Sequence, residues 1–287
     1  MGEKIIVCGN LSVLSNPLTK QLTQCGYDVV NISSDDLQTP APILAQKFEG
    51  TSAVLNLIGT PYFAKWSDRY VHDIYCSRML AIRAILETIR CCQNGPKTFL
   101  HISNAMVYDQ YEVHDEFSSL FSKSFIAEVG LMETKEILKA TKKLPDVRLI
   151  IARSGYLMSN NGGLFPILEK VCRNGIGAKI GDGYQCLPII HIDDAVRAII
   201  KLISDNSYSG IFNITIPQMA SLRELSAAFE RHGKRQRIKL PDFLVRLFAG
   251  PAITLLEQNC KVIPRRLDNS GFSFNYPTVD DIVKNLY

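Results

Sequence analysis

An α/β fold built on a doubly wound parallel sheet is predicted by three features of the sequence. Short apolar runs alternate with helical patterns through the first 155 residues. The runs are apolar throughout rather than at every second position, as strands covered on both faces require. The first run ends at a glycine turn that opens onto a helix. Such alternation closes as a parallel sheet with right-handed crossovers, which leaves few topologies.

The elements follow in order. Lys4 to Gly9 reads as a buried strand and Pro17 to Cys25 as a helix closed by Gly26. Tyr27 to Ile32 is a second strand and Ser52 to Gly59 a third. A long helical pattern covers Ser67 to Cys92. Lys97 to Ser103 is the fourth strand, Phe125 to Lys143 a second long helix, and Val147 to Ala152 the fifth strand. After about residue 155 glycines at 162, 163, 175, 177, 181 and 183 mark a loop-rich region. A strand over Leu187 to Ile192, a helix from Asp194 to Ser204 and a strand over Ile211 to Thr215 follow. The C-terminal part is helical. This divides the chain into a core over 1–155 and a mixed segment over 156–287. The second segment gives the sheet an edge strand and forms a small lobe within the same folding unit.

Composition narrows the function. Of the 287 residues, 46% are apolar and 21% charged, which excludes a disordered tail or a fibrous rod. The net charge of +4 makes no general case for nucleic acid or an acidic membrane. No stretch reaches the roughly 20 apolar residues of a membrane span. The run Ile5 to Cys8 is too short for a signal peptide, and Ile6 stands where myristoylation wants Ser or Thr. The eight cysteines form no C-x-x-C pair and read as reduced, mostly buried thiols of a cytoplasmic protein. No metal site is expected.

A strand, turn and helix at the N-terminus is where a doubly wound sheet takes a dinucleotide pyrophosphate, on glycine backbone and helix N–H groups. Here the turn reads Gly9, Asn10, Leu11, Ser12, Val13, Leu14, Ser15, and only the first glycine of a G-x-x-G-x-x-G frame survives. Pro17 suits a first helical turn, so a helix starting near Ser12 accommodates it. The other reading is a cofactor loop that has been remodelled.

Several segments, in order along nearly the whole chain, resemble the extended short-chain dehydrogenase/reductases, and within them the atypical NAD-dependent epimerase/dehydratase-like subgroup. They are Asn56-Leu57-Ile58-Gly59, Lys65-Trp66, Ser77-Arg78, Phe125 to Val129, Arg153-Ser154-Gly155, Asn161-Gly162-Gly163, His191 to Asp194, Ile263 to Leu267 and Gly271 to Phe274. The resemblance implies a Rossmann sheet with a small C-terminal substrate lobe. It also implies a bound NADP or NAD, and a small-molecule substrate that is a carbonyl or a sugar-nucleotide-like compound. A homodimer is compatible with it; nucleic acid and membrane are not among the partners it implies. It carries the cofactor contacts to Gly9 through Leu14, Ser33, Ser34, Asn56, Ile58, Gly59, Thr60, Lys65, Ser103, Arg153, Gly155 and Tyr156.

Members of that superfamily use a Ser or Thr, a Tyr and a Lys, the last two four residues apart on one helix face. Here Phe125 and Val129 hold the Tyr and Lys places, and Asn104 falls where the hydroxyl belongs. Neither Phe nor Val exchanges a proton. Tyr108 is a substitute acid or a packing aromatic. His191 is a proton carrier or a residue that orients the loop beside an Asp-capped helix. Arg153 faces substrate or pins the following loop. At the end of strand two an acidic residue selects NAD and a basic one NADP. Ser33 and Ser34 precede Asp35 and Asp36 there, so both cofactors stay open. The basic run from Arg231 to Arg237 is a phosphate patch or a solvated connection, and it lacks the interleaved aromatics of a single-strand binder. Two functions remain: an NAD(P)-binding oxidoreductase with remodelled catalysis, or a non-catalytic ligand sensor or interaction module on the same fold.

Overall fold

The computed structural model describes residues 2–9, 12–64, 66–173, 183–233 and 256–287. Six strands form the central sheet: β1 (Lys4–Cys8), β2 (Asp28–Ile32), β3 (Thr51–Asn56), β4 (Thr98–Asn104), β5 (Arg148–Ser154) and β6 (Gly210–Ile214). Their order is 2-1-3-4-5-6 and every neighbouring pair is parallel. This is the Rossmann-like sheet that the alternating pattern predicts. The order reverses between β1 and β3, which opens a crevice beyond the carboxyl ends of those strands, where doubly wound sheets take ligands.

Seven helices matter for the site: α1 (Ser15–Gln24), α2 (Ala41–Phe48), α3 (Asp68–Cys91), α4 (Phe125–Thr141), α5 (Phe165–Arg173), α6 (Ile192–Ser204) and α7 (Leu222–His232). Ile5 and Val7 of β1 pack with Leu18 and Leu22 of α1 and Ile199 of α6. Their neighbours Ile6 and Cys8 pack on the other face with Phe48 of α2, Ile82 of α3 and Ile137 of α4. Both faces of β1 are therefore dry, which is why its sequence shows no alternation.

Several boundaries differ from the sequence reading, each for a local reason. α1 begins at Ser15, with Pro17 in its first turn, where no N–H is needed. It ends in a Schellman motif: Gly26, at φ 89°, donates to Thr23 O, and Tyr27 donates to Leu22 O. β3 stops at Asn56 because the Ile58 N–H turns back to Asn56 Oδ1. The strand expected over Leu187 to Ile192 is two, Cys186–Leu187 and Ile189–His191, parted by Pro188, which has no N–H for a ladder. α6 starts at Ile192 rather than Asp194, and its cap is His191, not an aspartate. α2 and α5 lie in segments that the sequence reading leaves unassigned. The cysteines are less buried than expected: Cys8 and Cys260 are buried, but Cys25 and Cys91 are exposed. Among the described residues no helix is long and apolar enough to cross a membrane.

Asp194 ties the C-terminal segment to α6. Its fully buried carboxylate accepts from Arg197 Nη1 at 2.7 Å, Asn275 N at 2.9 Å and Tyr276 N at 2.8 Å. Asp194→Ala strands two backbone N–H groups and is expected to lower unfolding free energy by about 2–3 kcal/mol. Urea unfolding checks this; a midpoint equal to that of the parent would refute it.

Candidate active site

The turn after β1 is built from Gly9 and the start of α1. Gly9 has φ 107°, a value that L side chains rarely adopt, and its N–H donates to Ile32 O. A Cβ there would stand 3.1 Å from the Ile58 backbone nitrogen, so the turn after β1 and the loop after β3 touch. Ser12 organises the helix start: its Oγ accepts from Leu14 N at 3.1 Å and its carbonyl from Ser15 N and Ser15 Oγ. Val13 packs against Gly162, and Leu14 is buried. Asn10, Leu11 and Lys65 lie outside the described residues, as does the basic run from residue 234 on. A polar cleft of about 910 Å³ runs beside this turn between α1 and α6, with Ser12, Val13 and Asp193 on its wall.

At the end of β2, Ser33 N and Oγ both donate to Asp36 Oδ2, and Lys47 Nζ pairs with Asp36 Oδ1 at 3.0 Å. The Ser33 hydroxyl and these partners hold the Asp36 carboxyl down at about 2. Ser33 and Asp36 thus face each other, while Ser34 and Asp35 are exposed.

Beyond β3 and β4 a buried polar cluster lies on the α3/α4 face. Asn56 Nδ2 donates to His101 Nδ1 at 3.1 Å, and because Asn56 Oδ1 is already taken by Ile58 N, the amide orientation is fixed. An amide nitrogen only donates, so His101 Nδ1 accepts, and His101 Nε2 lies 3.5 Å from Glu133 Oε2. Glu133, 1% exposed, accepts from Ser103 Oγ at 2.7 Å and pairs with Arg78 Nε at 3.2 Å. Burial pushes the Glu133 carboxyl up, but His101, Arg78 and Ser103 together outweigh it and hold the group below its ordinary value. The Arg78 guanidinium lies 4.2 Å from the centre of the Tyr62 ring. Asn104 Nδ2 reaches Tyr62 Oη and the Ile126 carbonyl, each at 3.4 Å. Thr60 N is held by Ser77 Oγ at 3.0 Å, which fixes the loop that carries Tyr62.

The other sequence candidates fall apart from this cluster. Tyr108 is 2% exposed and its hydroxyl is engaged twice, accepting from Arg153 Nη1 at 2.8 Å and donating to Asn213 Oδ1 at 3.0 Å. Its ring stacks on His114 at 5.2 Å, and burial pushes its phenol up. Arg153, 2% exposed, sits over the Tyr108 and Phe121 rings. His191 is buried, accepts from Asp193 N through Nδ1 and packs on Tyr276; burial lowers its pKa. Gly155 N donates to Ile214 O, and Tyr156 N to Pro188 O, which ties the end of β5 to β6 and to the segment around Pro188. Phe125 meets Trp66 edge-on at 5.6 Å, and Val129 is 1% exposed.

Relatives agree with this architecture. A family model described as a domain of unknown function (DUF1731) matches residues 240–286. An epimerase family protein of Staphylococcus saprophyticus is 25% identical, over 98% of this chain and 98% of its own. A chloroplastic epimerase family protein homologue of Arabidopsis thaliana is 29% identical, over 86% of this chain and 73% of its own. Among solved structures, the human epimerase family protein, isoform 2, with NADPH, superposes with a TM-score of 0.83 at 23% identity, covering 99% of this chain and 98% of that one. This chain is similar in sequence to proteins described as epimerase family proteins. The fold is also that of a Bacillus cereus UDP-glucuronic acid 4-epimerase in complex with UDP-glucuronic acid and NAD, with a TM-score of 0.75, 17% identity, 99% of this chain and 100% of that one.

The sequence reading named none of Tyr62, His101 and Glu133, and gave Arg78 no role beyond a segment of resemblance. One signal was available. Glu133 stands one helical turn beyond Val129 and two beyond Phe125, on the face that a catalytic tyrosine and lysine share. An acidic residue on the buried face of a helix needs partners, and those partners are the cluster.

Proposed function

We propose that the protein is an NAD(P)-binding, epimerase/dehydratase-like oxidoreductase that works without the usual tyrosine and lysine. The observation that carries this reading is the reversal of strand order between β1 and β3, with Gly9 at its mouth. The residues there suit a dinucleotide in two respects. The backbone at Gly9 and Gly59 is bare of side chains, and α1 begins directly after the turn, with its N-terminal end beside it. In one respect they are less suited: Ser12 Oγ already satisfies the Leu14 N–H. A bound nicotinamide would supply hydride chemistry. The chain's own part is to hold it, with Gly9, Ser12, Val13 and Leu14 at the pyrophosphate, Ser34 at the adenosine ribose, and Thr60 and Ser103 toward the reacting end. Superposition with a human protein solved with NADPH supports NADP, while the absence of a basic residue at Ser33 and Ser34 supports NAD. The substrate class is a carbonyl or sugar-nucleotide-like compound.

Thermal unfolding with NAD, NADH, NADP and NADPH tests the reading. A dinucleotide at a hundredfold excess over its Kd is expected to add about 2.7 kcal/mol of stability. Midpoints that none of the four moves would overturn it. With binding in hand but no hydride transfer to any carbonyl, the sensor reading gains. Ser12→Gly releases the Leu14 N–H and removes a side chain from the pyrophosphate path. It is expected to tighten dinucleotide binding several-fold in titration calorimetry, and weaker binding would count against the assigned path.

A further inference from the structure

Resting on the proposed oxidoreductase reading, we propose that Tyr62 is the proton donor of this site, positioned by Asn104 and Arg78, in place of the missing tyrosine and lysine. The hydroxyl that Phe125 lacks is found on the neighbouring loop. Tyr62 follows β3 at the carboxyl edge of the sheet and is half-buried. Asn104, at the end of β4, donates to the Tyr62 oxygen. The Ile126 carbonyl, which can only accept, keeps the Asn104 nitrogen on that side. Because its oxygen accepts from Asn104, the phenol is left to direct its own proton elsewhere, and no described group accepts it.

Arg78 supplies the positive charge that a lysine at 129 would have supplied. Its guanidinium lies over the Tyr62 ring and is held from behind by Glu133, whose other contacts are Ser103 and His101. Two glycines make room for this arrangement. A Cβ on Gly59 would stand 2.8 Å from Arg78 Cζ, and one on Gly130 would stand 2.8 Å from Asn104 Nδ2. Both distances are shorter than real Cβ contacts, so a side chain at either place would displace the group that positions Tyr62. Burial and Glu133 push the Tyr62 phenol up while Arg78 and Asn104 pull it down, which keeps it protonated at neutral pH, as a donor must be. In the step, the Tyr62 O–H bond breaks and its proton goes to the substrate carbonyl oxygen. The carbonyl carbon receives hydride from a reduced nicotinamide dinucleotide, giving an alcohol. The tyrosinate lies beside Arg78 and regains a proton from water.

Among the described residues, the charged and titratable groups around Tyr62 are Arg78 and Glu133, with His101 behind Glu133 and the Tyr156 phenol from the far side. The test is a pH titration of the full chain carrying ¹³Cζ-tyrosine, followed by NMR, with the Tyr62 signal assigned by its loss in Tyr62→Phe. Arg78→Gln is expected to raise the Tyr62 pKa, and Glu133→Gln to lower it, in each case by at least half a unit; Arg78→Lys should restore most of the first shift. NADPH is expected to move the Tyr62 signal, while Tyr62→Phe binds NADPH within about twofold of the parent. With any simple carbonyl that the parent reduces, Tyr62→Phe should lower kcat by about 10²–10⁴-fold. A Tyr62 pKa indifferent to both Arg78 and Glu133 overturns the proposal, and so does a Tyr62→Phe variant that keeps full kcat. If no dinucleotide binds but the pKa of Tyr62 follows Arg78 and Glu133, the oxidoreductase reading fails and the electrostatic pairing stands.

Discussion

Glu133→Gln is expected to be the most destabilising single conservative change in this protein, by about 3–5 kcal/mol, because it leaves the buried Arg78 guanidinium without an anion. Arg78 is 8% exposed and Glu133 1%, so solvent cannot take over the lost interaction. Gln keeps the shape and still accepts from Ser103 Oγ, which isolates the charge from the packing. Urea unfolding should show a lower midpoint at an unchanged slope. The pH dependence gives a second check. Glu133 titrates below its ordinary value in the folded chain, so its contribution is fully present above the unfolded carboxyl pKa of about 4.3. It is lost as the pH falls through the folded value. The gap between parent and Glu133→Gln should therefore close below about pH 4.3 and stay open above it. Replacing both partners, Glu133→Leu with Arg78→Met, removes the unpaired charge and is expected to recover much of the loss, as paired buried ions often allow. A Glu133→Gln variant within about 1 kcal/mol of the parent would mean that water reaches Arg78.

The parts legible in the sequence were those set by short-range pattern. β1 could be read because Ile5, Ile6, Val7 and Cys8 are all buried, on alternating faces, in a mostly β-branched run short enough for a strand and closed by Gly9. The end of α1 could be read because Gly26 stands where a Schellman turn needs it. The start of α6 was misread because an aspartate is the commoner cap, and His191 does the capping here with its ring nitrogen while Asp194 is turned inward to Asn275 and Tyr276. That choice depends on a segment some eighty residues away, which no local pattern carries. The polar cluster was hidden for the same reason. Asn56, Arg78, His101, Ser103 and Glu133 come from four elements, and each one alone reads as an ordinary polar residue. Only the register Asn56 to His101 between β3 and β4, and the packing of α4 on that face, bring them together.

Val129→Lys is expected to lower stability at pH 7 by on the order of 3 kcal/mol, the effective penalty for an ion placed in the interior. Val129 is 1% exposed, and the carboxylate one turn further on the same helix, Glu133, is already committed to Arg78, Ser103 and His101. A buried ammonium responds by losing its proton, so the folded pKa of this lysine lies below the unfolded value of about 10.4. Between the two values the unfolded chain binds more protons than the folded one, and stability rises with pH. The deficit of Val129→Lys relative to the parent should therefore shrink as the pH is raised from 7 toward 10. Combining it with Phe125→Tyr, where the ring already meets Trp66 edge-on, does not remove this cost. The double variant is expected to be less stable than the parent at pH 7 and no faster with simple carbonyls, since Glu133, the nearest carboxylate on that helix face, is already paired with Arg78. Chemical unfolding at pH 7 and pH 10 decides it: a Val129→Lys chain as stable as the parent at both would show that the new ammonium reaches water or shares Glu133, and that the ordinary pair fits this fold after all.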